Sequence, residues 1–166
     1  VSDADLVQEF ATVLAGSTVT ELEVGTAADI QVLVDDYEAL VTAADTNNAA
    51  SLTKEKYAAL GITGLIDNEA SLLNDVMAEQ SADPVPTLTD LQALADTVSQ
   101  VMDSVTGSTP DPALTKQKLD ALGLTGVTAE NFNAVVDSIA AESSTGDVAA
   151  LTDLQAAVDA GNTDYT

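Results

Sequence analysis

The chain is 166 residues long and sets 28 acidic side chains against four basic ones, a formal charge of −24. A surface of that sign repels nucleic-acid phosphates and anionic lipid heads, which excludes nucleic acid as a partner. Histidine and cysteine are absent, so disulfide staples, thiolate metal sites and the commonest catalytic bases and nucleophiles are excluded with them.

Apolar residues make up 46% of the chain but lean on Ala and Val, with no Trp and only five Phe or Tyr. A core of small aliphatic groups favours compact helix packing over a wide ligand cavity. The hydrophobicity is too high and too regular for a disordered acidic chain. Acidity of this kind suits solubility in concentrated salt or seawater, where counterions screen self-repulsion. No apolar run approaches the ~20 residues that span a bilayer, so no membrane insertion is expected. The start lacks a charged-then-apolar leader, so an exported parent would carry its signal upstream of Val1 or have lost it.

In chain order, the opening "VSDADLVQEFATVL" can be laid over the later "VTAENFNAVVDSIA", pairing Leu6 with Phe132, Phe10 with Val136 and Val13 with Ile139. On that alignment the chain begins partway through a repeat, with residues 1–45 packing on the neighbouring unit. A helix follows near Ile30, in "AADIQVLVD".

From Leu52 the chain reads "LTKEKYAALGITG", and from Leu114, 62 positions on, "LTKQKLDALGLTG", with nine of thirteen positions identical. Each predicts a short helix with written boundaries. Thr53 and Thr115 are placed to N-cap it through their hydroxyls. Leu52 and Tyr57, then Leu114 and Leu119, stand at hydrophobic-staple spacing. Gly61 and Gly123 stop it, and Ile62 and Leu124 fold back as in a Schellman motif.

A second helix follows each stop. The later one is predicted to open at Thr128, with Phe132, Val135, Val136 and Ile139 on one face; the earlier one uses Ala70, Leu73, Val76 and Met77. After the breaks "SADPVPT" and "TGSTPDPA" come a third helix and the next copy. The third helix from Thr89 aligns Leu91, Leu94, Ala95, Val98, Met102 and Val105, and Thr89–Gln92 and Thr152–Gln155 stand at capping-box spacing. Its pattern occurs near Ile30, Leu91 and Leu154, at intervals of 61 and 63.

These periods predict an all-α chain of tandem three-helix-bundle repeats of about 60 residues, each near the lower limit for folding alone and sharing buried surface with its neighbours. The boundaries read as 1–47, a partial or degenerate repeat, then 48–109 and 110–166, each a three-helix repeat.

The run "LTKEKYAALGIT… LLNDVMAE… TLTDLQALADTVSQVM" resembles an albumin-binding (GA) module, and more broadly the GA-like helical repeats of large bacterial surface proteins and adhesins. The resemblance implies a left-handed three-helix bundle at the bacterial cell surface. It does not carry albumin binding here, because albumin is itself acidic and would meet this chain against repulsion.

Every basic residue falls in the repeated sentence: Lys54, Lys56, Lys116 and Lys118. Placed early in their helices, they oppose the helix dipole, so the placement points to contacts elsewhere. They are expected to pair with carboxylates of an adjacent helix or repeat, and the other reading is a patch for a partner protein. Calcium is a weak surface possibility at Asp35, Asp36 and Glu38, at Asp45, Asn47 and Asn48, or at Asp111, but no segment satisfies an EF-hand loop. No cofactor is expected. Ser104 in "DSV" and Ser138 in "DSI" resemble an acyl-carrier serine, yet both lie late in amphipathic helices rather than exposed at a helix start.

The expected role is a spacer, stalk or adhesive segment of a large extracellular bacterial protein, not an enzyme. Its partners would be neighbouring repeats of the same or identical chains. The alternatives are a module recognising a surface protein and the subunit of a self-assembling filament.

Overall fold

The computed structural model describes residues 27–46, 48, 50–80 and 87–165, whose regular elements are all helices, with no strand among them. In chain order they form α1 (Ala27–Thr46), α2 (Lys54–Ala59), α3 (Asp67–Ala78), α4 (Leu88–Gly107), α5 (Lys116–Ala121), α6 (Phe132–Ala140), a 3-10 turn (Thr145–Val148) and α7 (Leu151–Tyr165). The opening alignment and the "SADPVP" break at 81–86 lie outside the described residues.

Helix α2 stops as its sequence dictates. Gly61 sits at φ 89°, where a side chain would be strained. Its N–H donates to Ala58 O at 3.0 Å while Ile62 N–H donates to Tyr57 O at 2.9 Å, the paired bonds of a Schellman stop. Helix α5 repeats both bonds, Gly123 to Asp120 and Leu124 to Leu119.

The N-caps depart from the expected pattern in four places. Thr115 does accept from Lys118 N–H, but Thr53 makes no such bond. Its hydroxyl turns to the Glu55 carboxylate, which is held below the usual carboxylate range first by a backbone N–H and then by Thr53. Helix α4 is capped two residues before Thr89: Thr87 is the cap, accepting from Asp90 N–H while Asp90 accepts from Thr87 N–H. Neither Thr89–Gln92 nor Thr152–Gln155 is therefore a capping box, because both glutamines are drawn elsewhere and α7 already starts at Leu151. Helix α6 begins at Phe132, not Thr128. Thr128 and Asn131 exchange reciprocal bonds ahead of it, and Asn131 also donates to Gly126 O and Asn162 Oδ1, which holds the chain in a turn before the helix can start.

Helices α2 and α3 pack against α1, and α5 and α6 pack against α4 in the corresponding way. Helix α3 in turn packs on α4 as α6 packs on α7. Positions 62 apart are buried alike: Leu52 with Leu114, Tyr57 with Leu119, Leu60 with Leu122, Leu73 with Val135, Met77 with Ile139. A single apolar cluster runs from Leu33 on α1 to Val158 on α7. The core does not break between the copies, and this continuity decides how they are joined.

Two pairs of residues vary together between the copies. In the first, Tyr57 OH donates to Asn74 Oδ1 at 2.9 Å, Leu52 N–H donates to the same oxygen, and Asn74 Nδ2 donates to Leu52 O. All three residues are buried, so the bonds are needed to offset desolvation. In the second copy these positions hold Leu119 and Val136, which need no such bonds. The other exchange is of size. Leu72 and Val98 in the first copy correspond to Ala134 and Gly161 in the second. A Cβ on Gly161 would lie 2.7 Å from both Ala134 O and Val135 Cα, so α6 and α7 approach backbone to backbone.

Candidate functional site

The four lysines do not form one patch. Lys54 pairs with Asp67 at the start of α3 at 2.9 Å, and that partner, by hydrogen bond and then by charge, raises the Lys54 pKa. Lys56 crosses to α1 and meets Asp36 at 2.6 Å. Lys116 pairs with Asp120 on its own helix at 2.5 Å. Lys118 crosses to α4, donating to Gln100 Oε1 at 2.8 Å and to Ala113 O at 2.9 Å. Thus the second lysine of each sentence reaches the preceding long helix, while of the first lysines Lys54 reaches the start of α3 and Lys116 stays on its own helix. The expectation of carboxylate partners on an adjacent helix fails at Lys116, which pairs within its own helix, and at Lys118, because α4 carries Gln100 within its reach.

Among these contacts Lys56–Asp36 is unlike the rest. The Asp36 side chain is only 6% exposed while that of Lys56 is 48% exposed, and Asp36 Oδ2 is buried without a hydrogen-bond partner. A carboxylate in that position depends on its single cation far more than the exposed pairs do.

A second set of contacts, which sequence reasoning missed, pins the glycine turns. Gln92 Oε1 accepts from Thr63 N–H at 3.0 Å and its Nε2 donates to Thr63 O. Gln155 does the same to Thr125. Each amide also donates to an aspartate four residues on, Asp96 or Asp159. Gln31 and Asp35 on α1 form the same i,i+4 pair at 2.7 Å. The recurring Gln-x-x-x-Asp was the available signal.

The seam between the copies is built on α3. Asn68 Nδ2 donates to Thr145 Oγ1 at 2.8 Å, Gln80 Nε2 donates to Ala121 O at 3.1 Å, and Asp75 Oδ2 accepts from Leu151 N–H at 3.0 Å. Ala150 is the N-cap of α7, its carbonyl accepting from Leu154 N–H, and it has no side chain with which to cap. Asp75, from another helix, supplies the missing acceptor and a negative charge at the positive end of the α7 dipole. Beneath these bonds Val148 of the 3-10 turn and Leu72 of α3 are both fully buried. A shallow cleft of about 380 Å³ opens beside the seam, floored by Gly123 and edged by Asp75 and Glu79.

No chemistry converges in that cleft. Among the described residues no group of three or more Asp or Glu is arranged to hold a metal ion. Asp35 points outward and is bonded by Gln31, Asp36 points inward to Lys56, and Glu38 is exposed. The side chain of Asp45 and the whole of Asn47 lie outside the described residues. Asp111 is taken up by its own loop, accepting from Ala113 N–H at 2.6 Å. Ser104 is fully buried and bridges Gln100 O and Asp111 N–H, so it is not an exposed carrier serine. Among the described residues no helix is long and apolar enough to cross a membrane.

Compared with models of known protein families, with curated proteins and with solved structures, the chain has no match in any of the three.

Proposed function

We propose that this chain is a stretch of a tandem array of three-helix units of about 60 residues, and that the array serves as a spacer or stalk of an extracellular bacterial surface protein. The mechanism is geometric. Repeated units set reach, and a joint that does not swivel transmits position and force along the array.

The observation that supports it is the seam on α3. A flexible string of domains would have separate cores and a mobile linker between them. Here one apolar cluster passes from α1 to α7, and the second copy is fixed to the first by Asp75, Asn68 and Gln80. The charge of −24 supports the same reading, since self-repulsion keeps an array soluble and disfavours its folding back on itself. The likeness to GA-like repeats supports the surface setting.

Small-angle scattering tests the reading. Chains lengthened by one and then two further 63-residue units, 63 being the interval from Leu91 to Leu154, should gain a constant increment in maximum dimension. Growth as the cube root of mass would contradict a spacer.

A further inference from the structure

Helix α6 repeats α3, and the residue that corresponds to Asp75 is again an aspartate, Asp137. Asp75 is occupied, bonded to Leu151 N–H at the start of α7. Asp137 is exposed. On α6 it lies with Ala134 and Ala141 at helical spacing, as Asp75 lies with Leu72 and Glu79, while Glu130, which corresponds to Asn68, stands in the turn before α6. Leu72 is fully buried, whereas the corresponding Ala134 is half-buried and Ala141 is exposed.

Resting on the array reading, we propose that the outer face of α6 is the docking site for a further unit of this same kind, and that Asp137 caps the third helix of that unit from outside. Three features of the molecule argue for this occupant. The face continues an interface already formed one step earlier in the chain. The helix it would receive, if built like α7, starts behind an alanine corresponding to Ala150 and has no acceptor of its own. Glu130, standing where Asn68 stands in sequence, cannot donate as Asn68 does but accepts from the hydroxyl of a threonine like Thr145, so that bond is kept with its direction reversed. Glu142 replaces Gln80 and cannot donate to a carbonyl as Gln80 does to Ala121 O, so the second seam keeps two of the three contacts. By contrast α4 carries its own cap in Thr87 and Asp90 and needs none from outside. The external cap belongs to helices built like α7.

The test appends residues 104–166 directly after Thr166 of the full chain. The 63-residue spacing puts Thr166 where Asp103 stands, so the added helices continue in register. Urea unfolding should then give one transition, and the amide repeating Leu151 in the added segment should be protected from hydrogen exchange. Asp137→Ala in the lengthened chain should raise the unfolding equilibrium constant by about five-fold or more, the scale of a lost N-cap, and abolish that protection. Asp137→Asn, which keeps an acceptor, should restore most of both, and Asp137→Ala in the parent chain should leave its unfolding equilibrium constant unchanged. One transition insensitive to Asp137→Ala would overturn this inference and leave the array standing. Separate melting of the added unit would overturn the array reading and the inference together.

Discussion

Asp75 and Leu151 lie 76 positions apart, and the carboxylate of one accepts the backbone N–H of the other at 3.0 Å. One copy thus completes the first turn of a helix in the next. Asp75→Ala should therefore cost about 0.5–2 kcal/mol, the range for loss of an N-cap, and Asp75→Asn less. Residue-resolved exchange should place the loss in the first turn of α7, far from the substitution in sequence. Loss confined to α3 would show that the bond contributes nothing to α7.

The buried pair in the first copy should be costlier to break from one side than from the other. Asn74→Val strips Tyr57 OH and both backbone groups of Leu52 of their partner, at about 1–3 kcal/mol for each buried group left unpaired. Tyr57→Phe leaves Asn74 Oδ1 still bonded by Leu52 N–H, and should cost about 1 kcal/mol. Urea titration of the two variants at neutral pH ranks them, and equal losses would contradict the network.

Burial also raises the Tyr57 pKa above its ordinary value of 10.0. The unfolded chain then gives up this proton first as pH climbs. The resulting stability is complete below about pH 10 and is lost as pH rises through the folded value. Wild type should therefore lose stability above that pH more steeply than Tyr57→Phe.

Helix propensity alone says that Gly161→Ala should stabilise α7 by about 1 kcal/mol. The structure predicts the opposite sign, because the new Cβ would lie 2.7 Å from Ala134 O and Val135 Cα. Backbone atoms cannot turn aside as a side-chain tip can, and overpacking of this kind costs about 1–3 kcal/mol. A lowered melting temperature is expected, and a raised one would mean that α6 and α7 stand further apart.

Lys56→Ala should destabilise more than Lys116→Ala, although both remove one lysine from an ion pair. Lys116 faces an Asp120 that is 44% exposed, whereas Lys56 faces an Asp36 that is 6% exposed. Water replaces the lost cation at Asp120 and cannot readily do so at Asp36. Side-by-side denaturation in moderate salt decides it, and equal effects would show that Asp36 is better solvated than its burial implies.

Helix content and the glycine stops were legible because each rests on local chemistry written twice: a threonine, an apolar staple and a glycine at fixed spacing. The duplicated sentence also located matching core positions such as Tyr57 and Leu119. What stayed hidden depends on contacts between distant segments. Gln92 at capping-box distance from Thr89 looks the same in sequence whether it turns back on its own helix or reaches Thr63, 29 residues away. The trans cap was hidden for the same reason, since nothing near Ala150 announces that its acceptor is Asp75. The lysines were readable as a set but not as pairs, because Lys118 finds an amide where Lys56 finds a carboxylate.

Hydrogen exchange on a variant weakened in the first copy alone tests the coupling most directly. Leu73→Ala opens a cavity in α3, at a fully buried position, and should cost about 2–5 kcal/mol. If the copies are one cooperative unit, protection of the slowest amides in α6 and α7 should fall by the same free energy as in α3 and α4. Undiminished protection in α6 and α7, with loss confined to the first copy, would mean that the seam does not join the copies into a rigid array.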